Sequence, residues 1–154
     1  MSPALGDSFP KDFKHNFAIE NITIGNVIFC YSPRAKKEKR FVIVGINNEK
    51  SLVGVLLFNT EKPFRGDKNL EPLQIHFKAE DNPYLSWDSY LNCAHLEIIP
   101  YKILYDDLVH NAEHSFGPME QKDFDRICSI TANTKFISPK NVKNFGLTGY
   151  LLEL

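Results

Sequence analysis

Residues 41–58 read FVIVGINNEKSLVGVLLF, and this stretch decides the fold. Phe41-Val-Ile-Val44 is an apolar, β-branched run closed by Gly45, and Ser51 to Phe58 is a second apolar run. Asn47-Asn-Glu-Lys50 between them is polar and turn-forming. Two such runs joined by a short polar turn predict a β-hairpin. Gly54, inside the second run, predicts a bulge or a sharp bend.

Strand signals continue on both sides of the hairpin. Asn26-Val-Ile-Phe-Cys-Tyr31, closed by Ser32-Pro33, predicts a preceding strand, with Phe29 and Phe41 read as core. Arg34 to Arg40 (RAKKEKR) reads as a charged loop linking the two. Beyond the hairpin, Leu73-Gln-Ile-His-Phe77 alternates apolar and polar, as a half-buried strand does. Ser89-Tyr-Leu91 and Leu96-Glu-Ile-Ile99 predict two more short strands, the second ended by Pro100. The last third changes character. Gly117-Pro118 predicts a helix start, and Phe124, Ile127, Cys128 and Thr131 fall on one helical face. Ser138-Pro139 predicts a second, shorter helix with a Ser cap, stopped by Gly146. Residues 1–22, with Pro3, Gly6 and Pro10, read as an extended N-terminal arm. The expected class is mainly β with C-terminal helices: a small antiparallel barrel or half-open sheet. The strands lack the intervening helices that a parallel sheet requires.

At 154 residues the chain makes a single domain able to bury a core of its own. An aromatic content of 12% excludes a disordered chain. A net charge of −1 excludes a generally basic nucleic-acid coat but leaves room for a local basic patch. Cys30, Cys93 and Cys128 fit no zinc or redox spacing and read as reduced, buried thiols of a cytoplasmic protein. Met1 to Phe17 carries charges and no apolar run, so no signal peptide is expected. No apolar stretch approaches the roughly 18 residues of a membrane span, so no membrane partner is expected.

The densest charge cluster is Arg34, Lys36, Lys37, Lys39 and Arg40, with Glu38 the one acid among them. Cations grouped this way can neutralise a nucleic-acid backbone, and nearby aromatics can stack bases. Asp106, His110 and His114 lie at i, i+4 and i+8; on one helix they share a face, the geometry a metal site would need. Thr60 follows the second hairpin run, at a strand end where side chains often face a site. Ser86-Trp-Asp-Ser89 holds hydroxyls and a carboxylate but no triad, and reads as a turn packed by Trp87. There is no Gly-rich phosphate loop, and no cofactor is expected.

The order of these features resembles the PemK/MazF-like toxins of type II toxin–antitoxin systems. Gly25-Asn26 precedes the first apolar strand, Lys39-Arg40-Phe41 precedes the second, and Val55-Leu-Leu-Phe-Asn-Thr60 supplies the third with its Thr. Asp88-Ser-Tyr-Leu-Asn-Cys93, the Gly117 helix and the Ser138-Pro139 tail resemble later elements of a PemK-like branch. Asn26 stands where the family has Asp, and Phe41 where it has Pro. Over about residues 24–146 the resemblance implies an SH3-like barrel, a homodimer, and an antitoxin protein as partner. It further implies a metal-independent endoribonuclease that cuts single-stranded RNA to a 2′,3′-cyclic phosphate. Arg40 then stabilises charge on the phosphorane and Thr60 orients the phosphate, while Arg34, Lys36, Lys37 and Lys39 bind the backbone. The alternative is a barrel of the same kind that binds nucleic acid or a protein without cutting.

Overall fold

The computed structural model describes residues 10–152. The hairpin forms as expected. Strand β2 (Lys37–Asn47) pairs antiparallel with β3 (Leu52–Asn59), from Phe41 opposite Leu57 to Asn47 opposite Leu52. The turn is held by the Lys50 N–H donating to Asn47 Oδ1 at 3.2 Å, the side-chain bond that suits Asn to such a place. The register shift lies between Ile43 and Gly45 in β2, so the bulge sits opposite Gly54 rather than at it.

Strand β1 (Asn26–Ser32) flanks β2. The predicted charged loop is therefore shorter than expected: Lys37 to Arg40 already belong to β2, paired with Ser32 to Phe29. Strands β4 (Gln74–Phe77), β5 (Ser89–Asn92) and β6 (Glu97–Pro100) follow, and all pairs in the sheet are antiparallel. The far edge of β3 is shared: its first half pairs with β6, and Phe58 and Asn59 pair with β5. A further strand, β7 (Ser115–Pro118), pairs with β1. The order is β4-β5-β3-β2-β1-β7, and the ends do not pair, so the sheet is open.

Both faces of the central strands are covered, which explains why β3 reads as a continuous apolar run instead of alternating. Val27, Val42, Val44, Leu56 and Phe58 pack on one side with Ile75, Phe77 and Leu91. Helices α3 (Gln121–Asn133) and α4 (Pro139–Asn144) join this core through Phe124, Ile127, Cys128 and Val142. Ile28, Cys30, Phe41, Ile43, Val53, Val55 and Leu57 pack on the other side. That side is covered by α1 (Lys11–Asn21) and α2 (Tyr101–His110), through Ala18, Leu104 and Leu108.

Two helical expectations need correction. Residues 11–21 form a helix, not an extended arm; the part of the arm before Pro10 lies outside the described residues. Alpha-helix α1 buries Ala18 completely and is tied to α2 where His15 Nδ1 and Tyr105 Oη stand 2.6 Å apart. Gly117-Pro118 ends a strand, and α3 starts only at Gln121. The predicted α3 face is the buried one, and Ser138 Oγ caps α4 by accepting from the Asn141 N–H at 3.1 Å. Cys30, Cys93 and Cys128 are free and buried. Among the described residues no helix is long and apolar enough to cross a membrane.

Candidate nucleic-acid interface

Side chains alternate along a strand, so the odd positions of β1 and the even positions of β2 and β3 share a face. On that face Phe29 is paired with Arg40, and Phe58 flanks Arg40 from β3. Phe29 is half-buried, not core as expected. Its place is explained by its neighbours. The Arg40 guanidinium carbon lies 5.4 Å from the Phe29 ring centroid and 5.2 Å from that of Phe116 on β7. Arg40 Nη2 donates to Ser86 Oγ at 2.8 Å, while its buried Nε has no hydrogen-bond partner among the described residues. The cation is thus held mainly by ring faces, with one directed bond.

Arg40 lies on the wall of a cleft of about 210 Å³, together with Glu38, Lys39, Thr60, Ser86 and Trp87. Phe29 and Lys37 line it too. A wider hollow of about 650 Å³ adjoins it, sharing Thr60, Ser86 and Trp87 and adding Glu61 and Asp88. Of the sequence-predicted residues, Arg40 and Thr60 share this face and this cleft; Lys37 and Lys39 belong to its wall, but as odd positions of β2 they turn their side chains to the opposite face, that of Cys30 and Phe41. Arg34 and Lys36 do not line it. They sit in the β1–β2 turn, where Lys36 has φ 57° and the Arg34 N–H donates to Glu97 Oε1 at 3.0 Å. Glu97 is buried and also bonds Ser32 Oγ at 2.7 Å, so β6 fixes this turn.

Lys39 Nζ donates to Asn59 Oδ1 at 2.9 Å. Partial burial, and secondarily the Lys37 charge, lower its ammonium from the usual lysine range. Asn26, matched to the family's Asp, is buried outside the cleft; its Nδ2 donates to the Asn21 carbonyl at 2.6 Å and to Ser115 Oγ at 3.0 Å.

The Asp106–His110–His114 face does not form. Alpha-helix α2 ends at His110, and His114 lies in the following 3-10 turn, its Nδ1 2.8 Å from Asp107 Oδ2. Among the described residues no group of three His, Cys, Asp or Glu is placed to hold a metal ion. His114 instead buttresses the cleft, its ring edge-on to Phe29 at 5.2 Å between centroids.

Sequence reasoning missed Phe116, Ser86 and Trp87. Trp87 does not pack its turn: it is 71% exposed. The usable signal lay in its neighbours, since Ser and Asp bond local backbone and can hold a turn without the indole. The chain matches no family model, no curated protein and no solved structure.

Proposed function

We propose that the cleft binds single-stranded RNA and cleaves it without a metal ion. The observation that supports this is the meeting of Arg40 and Thr60 on one cleft, with Lys37 and Lys39 on the strand that forms its wall. The lysines supply backbone affinity. The Arg40 fork suits the charge that grows on phosphorus as the RNA 2′-oxygen attacks. In that step the bond from phosphorus to the 2′-oxygen forms and the bond to the 5′-oxygen breaks. The products are a 2′,3′-cyclic phosphate and a 5′-hydroxyl. Glu38 stands two residues from Arg40 on the same strand face and on the same cleft wall, where a carboxylate can take the 2′-hydroxyl proton. The leaving 5′-oxygen takes its proton from water. The reading extends to the fold and its partners: an SH3-like barrel of the PemK/MazF-like kind, acting as a homodimer and held in check by an antitoxin protein.

A second reading has its own observation. Arg40 is already engaged by two rings and Ser86, which suits a cation fixed for binding more than one free to follow a transition state. On this reading the cleft binds RNA and leaves it whole.

The deciding experiment incubates a long unstructured RNA in EDTA with the wild type and with Arg40→Ala and Glu38→Gln, and measures retention of the same RNA in parallel. Cleavage by the wild type, lost in Arg40→Ala, is expected. RNA bound but intact transfers the conclusion to the second reading. RNA neither bound nor cut by folded protein overturns both.

A further inference from the structure

Trp87 is 71% exposed, an unusual position for the largest apolar ring in the chain. The turn that carries it is nonetheless tied by three hydrogen bonds. Ser86 Oγ accepts from Arg40 Nη2 at 2.8 Å. The Trp87 carbonyl accepts from Ser89 Oγ at 2.8 Å. Asp88 Oδ1 accepts from the Ala79 N–H at 2.8 Å. The loop is held while the ring is left in water. The ring also borders both hollows, the cleft with Arg40 and Thr60 and the wider one beside it, with Glu61 and Asp88.

A held, solvated aromatic face next to the Arg40 guanidinium matches the two needs of single-stranded nucleic acid, stacking and backbone charge. The Arg40 guanidinium suits a backbone phosphate. The wider hollow, about 650 Å³, is roomy enough for a base. We propose that Trp87 is the stacking platform for one unpaired RNA base, next to the phosphate held at Arg40. This inference rests on the RNA reading above and adds the subsite that faces the base. Because the turn is already fixed, stacking costs little ordering of the protein.

Trp87 is the only tryptophan in the chain, so intrinsic fluorescence reports on this ring alone. The test titrates the wild type with a fluorescein-labelled oligouridylate, following label anisotropy for binding. Unlabelled oligouridylate and an abasic ribose-phosphate oligomer of equal length are added to parallel samples to follow tryptophan emission. Oligouridylate should quench the emission and the abasic oligomer should not. Trp87→Ala should weaken oligouridylate binding by about 5- to 150-fold, and Trp87→Phe by much less, since a phenyl ring also stacks. Thermal unfolding of both variants should match the wild type, because the exposed ring carries little of the core. Oligouridylate that binds with unchanged emission, and equally to Trp87→Ala, overturns the platform and leaves the RNA reading standing. No binding of oligouridylate by the wild type overturns the RNA reading, and the platform with it.

Discussion

Arg40 on β2 and Phe116 on β7 are in contact although β1 runs between their strands: the guanidinium carbon is 5.2 Å from the ring centroid. The same guanidinium reaches Ser86, in the loop leading into β5 on the other side of β3. One side chain therefore spans the open sheet, from its β7 edge to the loop beside β5. It draws the two sides of the cleft together, so the residue best suited to meet a phosphate also shapes the site.

That double role gives the first prediction. Ser86→Ala removes one exposed hydrogen bond to a charged group and should cost at most about 1 kcal/mol, or a melting temperature lower by at most about 2–4 °C. The fold should survive, but Arg40 should lose its fixed direction. RNA affinity should then fall more than the small stability loss implies. Arg40→Lys keeps the charge but loses the planar fork, and should bind RNA more weakly than the wild type. Anisotropy titrations beside thermal melts check both; an Arg40→Lys variant with full affinity would show that only charge is needed.

Gly45 gives the second. It faces Gly54 across β2 and β3, and the end of α4 sits directly on it. A Cβ at Gly45 would run into the Phe145 carbonyl oxygen and lie 2.6 Å from the Phe145 Cβ. The obstacle is backbone, so α4 has to shift. Gly45→Ala should lose about 1–3 kcal/mol of stability. Gly149→Ala, with nothing within 4 Å of the added carbon, should be close to neutral. Urea unfolding of the pair separates close packing from glycine flexibility.

The hairpin was legible because two apolar runs and an Asn-rich turn agree, and the α3 face because its spacing is regular. Alpha-helix α1 was not legible, since Ala18 is its only buried residue and its anchor is the later helix α2. Strand β7 was hidden by length: its four residues end in Gly-Pro, which resembles a helix start until β1 offers a partner. At the cleft, Arg40 stands out in the charge cluster and Thr60 only as a strand end; the family resemblance is what gives the two a shared role. Phe116, Ser86 and Trp87 could not be picked out, because only the folded sheet brings them beside Arg40; Ser86 is 46 residues away in the chain. Trp87 was misplaced because large aromatic rings are usually buried; the one local hint was that Ser89 and Asp88 can hold the turn in its stead.

The thiols give the third prediction. Burial is the largest cause that pushes Cys30, Cys93 and Cys128 each up to about 12. At pH 7.5 almost no thiolate exists to react, and access is blocked as well. Iodoacetamide should leave all three unmodified in the native protein over minutes and modify all three in urea. Intact-mass spectrometry reads this directly, and rapid native labelling of any one would place that thiol in a segment that opens.

His95 gives the last. It is half-buried, and burial first, then the Arg34 charge, lower its imidazole below the usual range, with Glu97 opposing. The folded protein thus holds this ring neutral at a pH where the unfolded chain has begun to protonate it. Between the lowered folded value and the ordinary value near 6.5, the unfolded state binds more protons. Stability from this group is therefore complete above about pH 6.5 and is lost as the pH falls through that window. His95→Gln cannot titrate and should lack this part of the acid loss. The melting temperature of the wild type should drop more between pH 7.5 and 5.5 than that of His95→Gln. The site has a mechanical consequence too. A protonated His95 repels Arg34, whose backbone N–H holds the β1–β2 turn to Glu97. Acid should therefore loosen the turn that leads into Lys37 and Lys39: once His95 protonates, the protection factors of the Arg34 and Ala35 amides, corrected for the intrinsic slowing of exchange in acid, should fall in the wild type but not in His95→Gln. Equal slopes and equal exchange in the two proteins would remove His95 from the acid response.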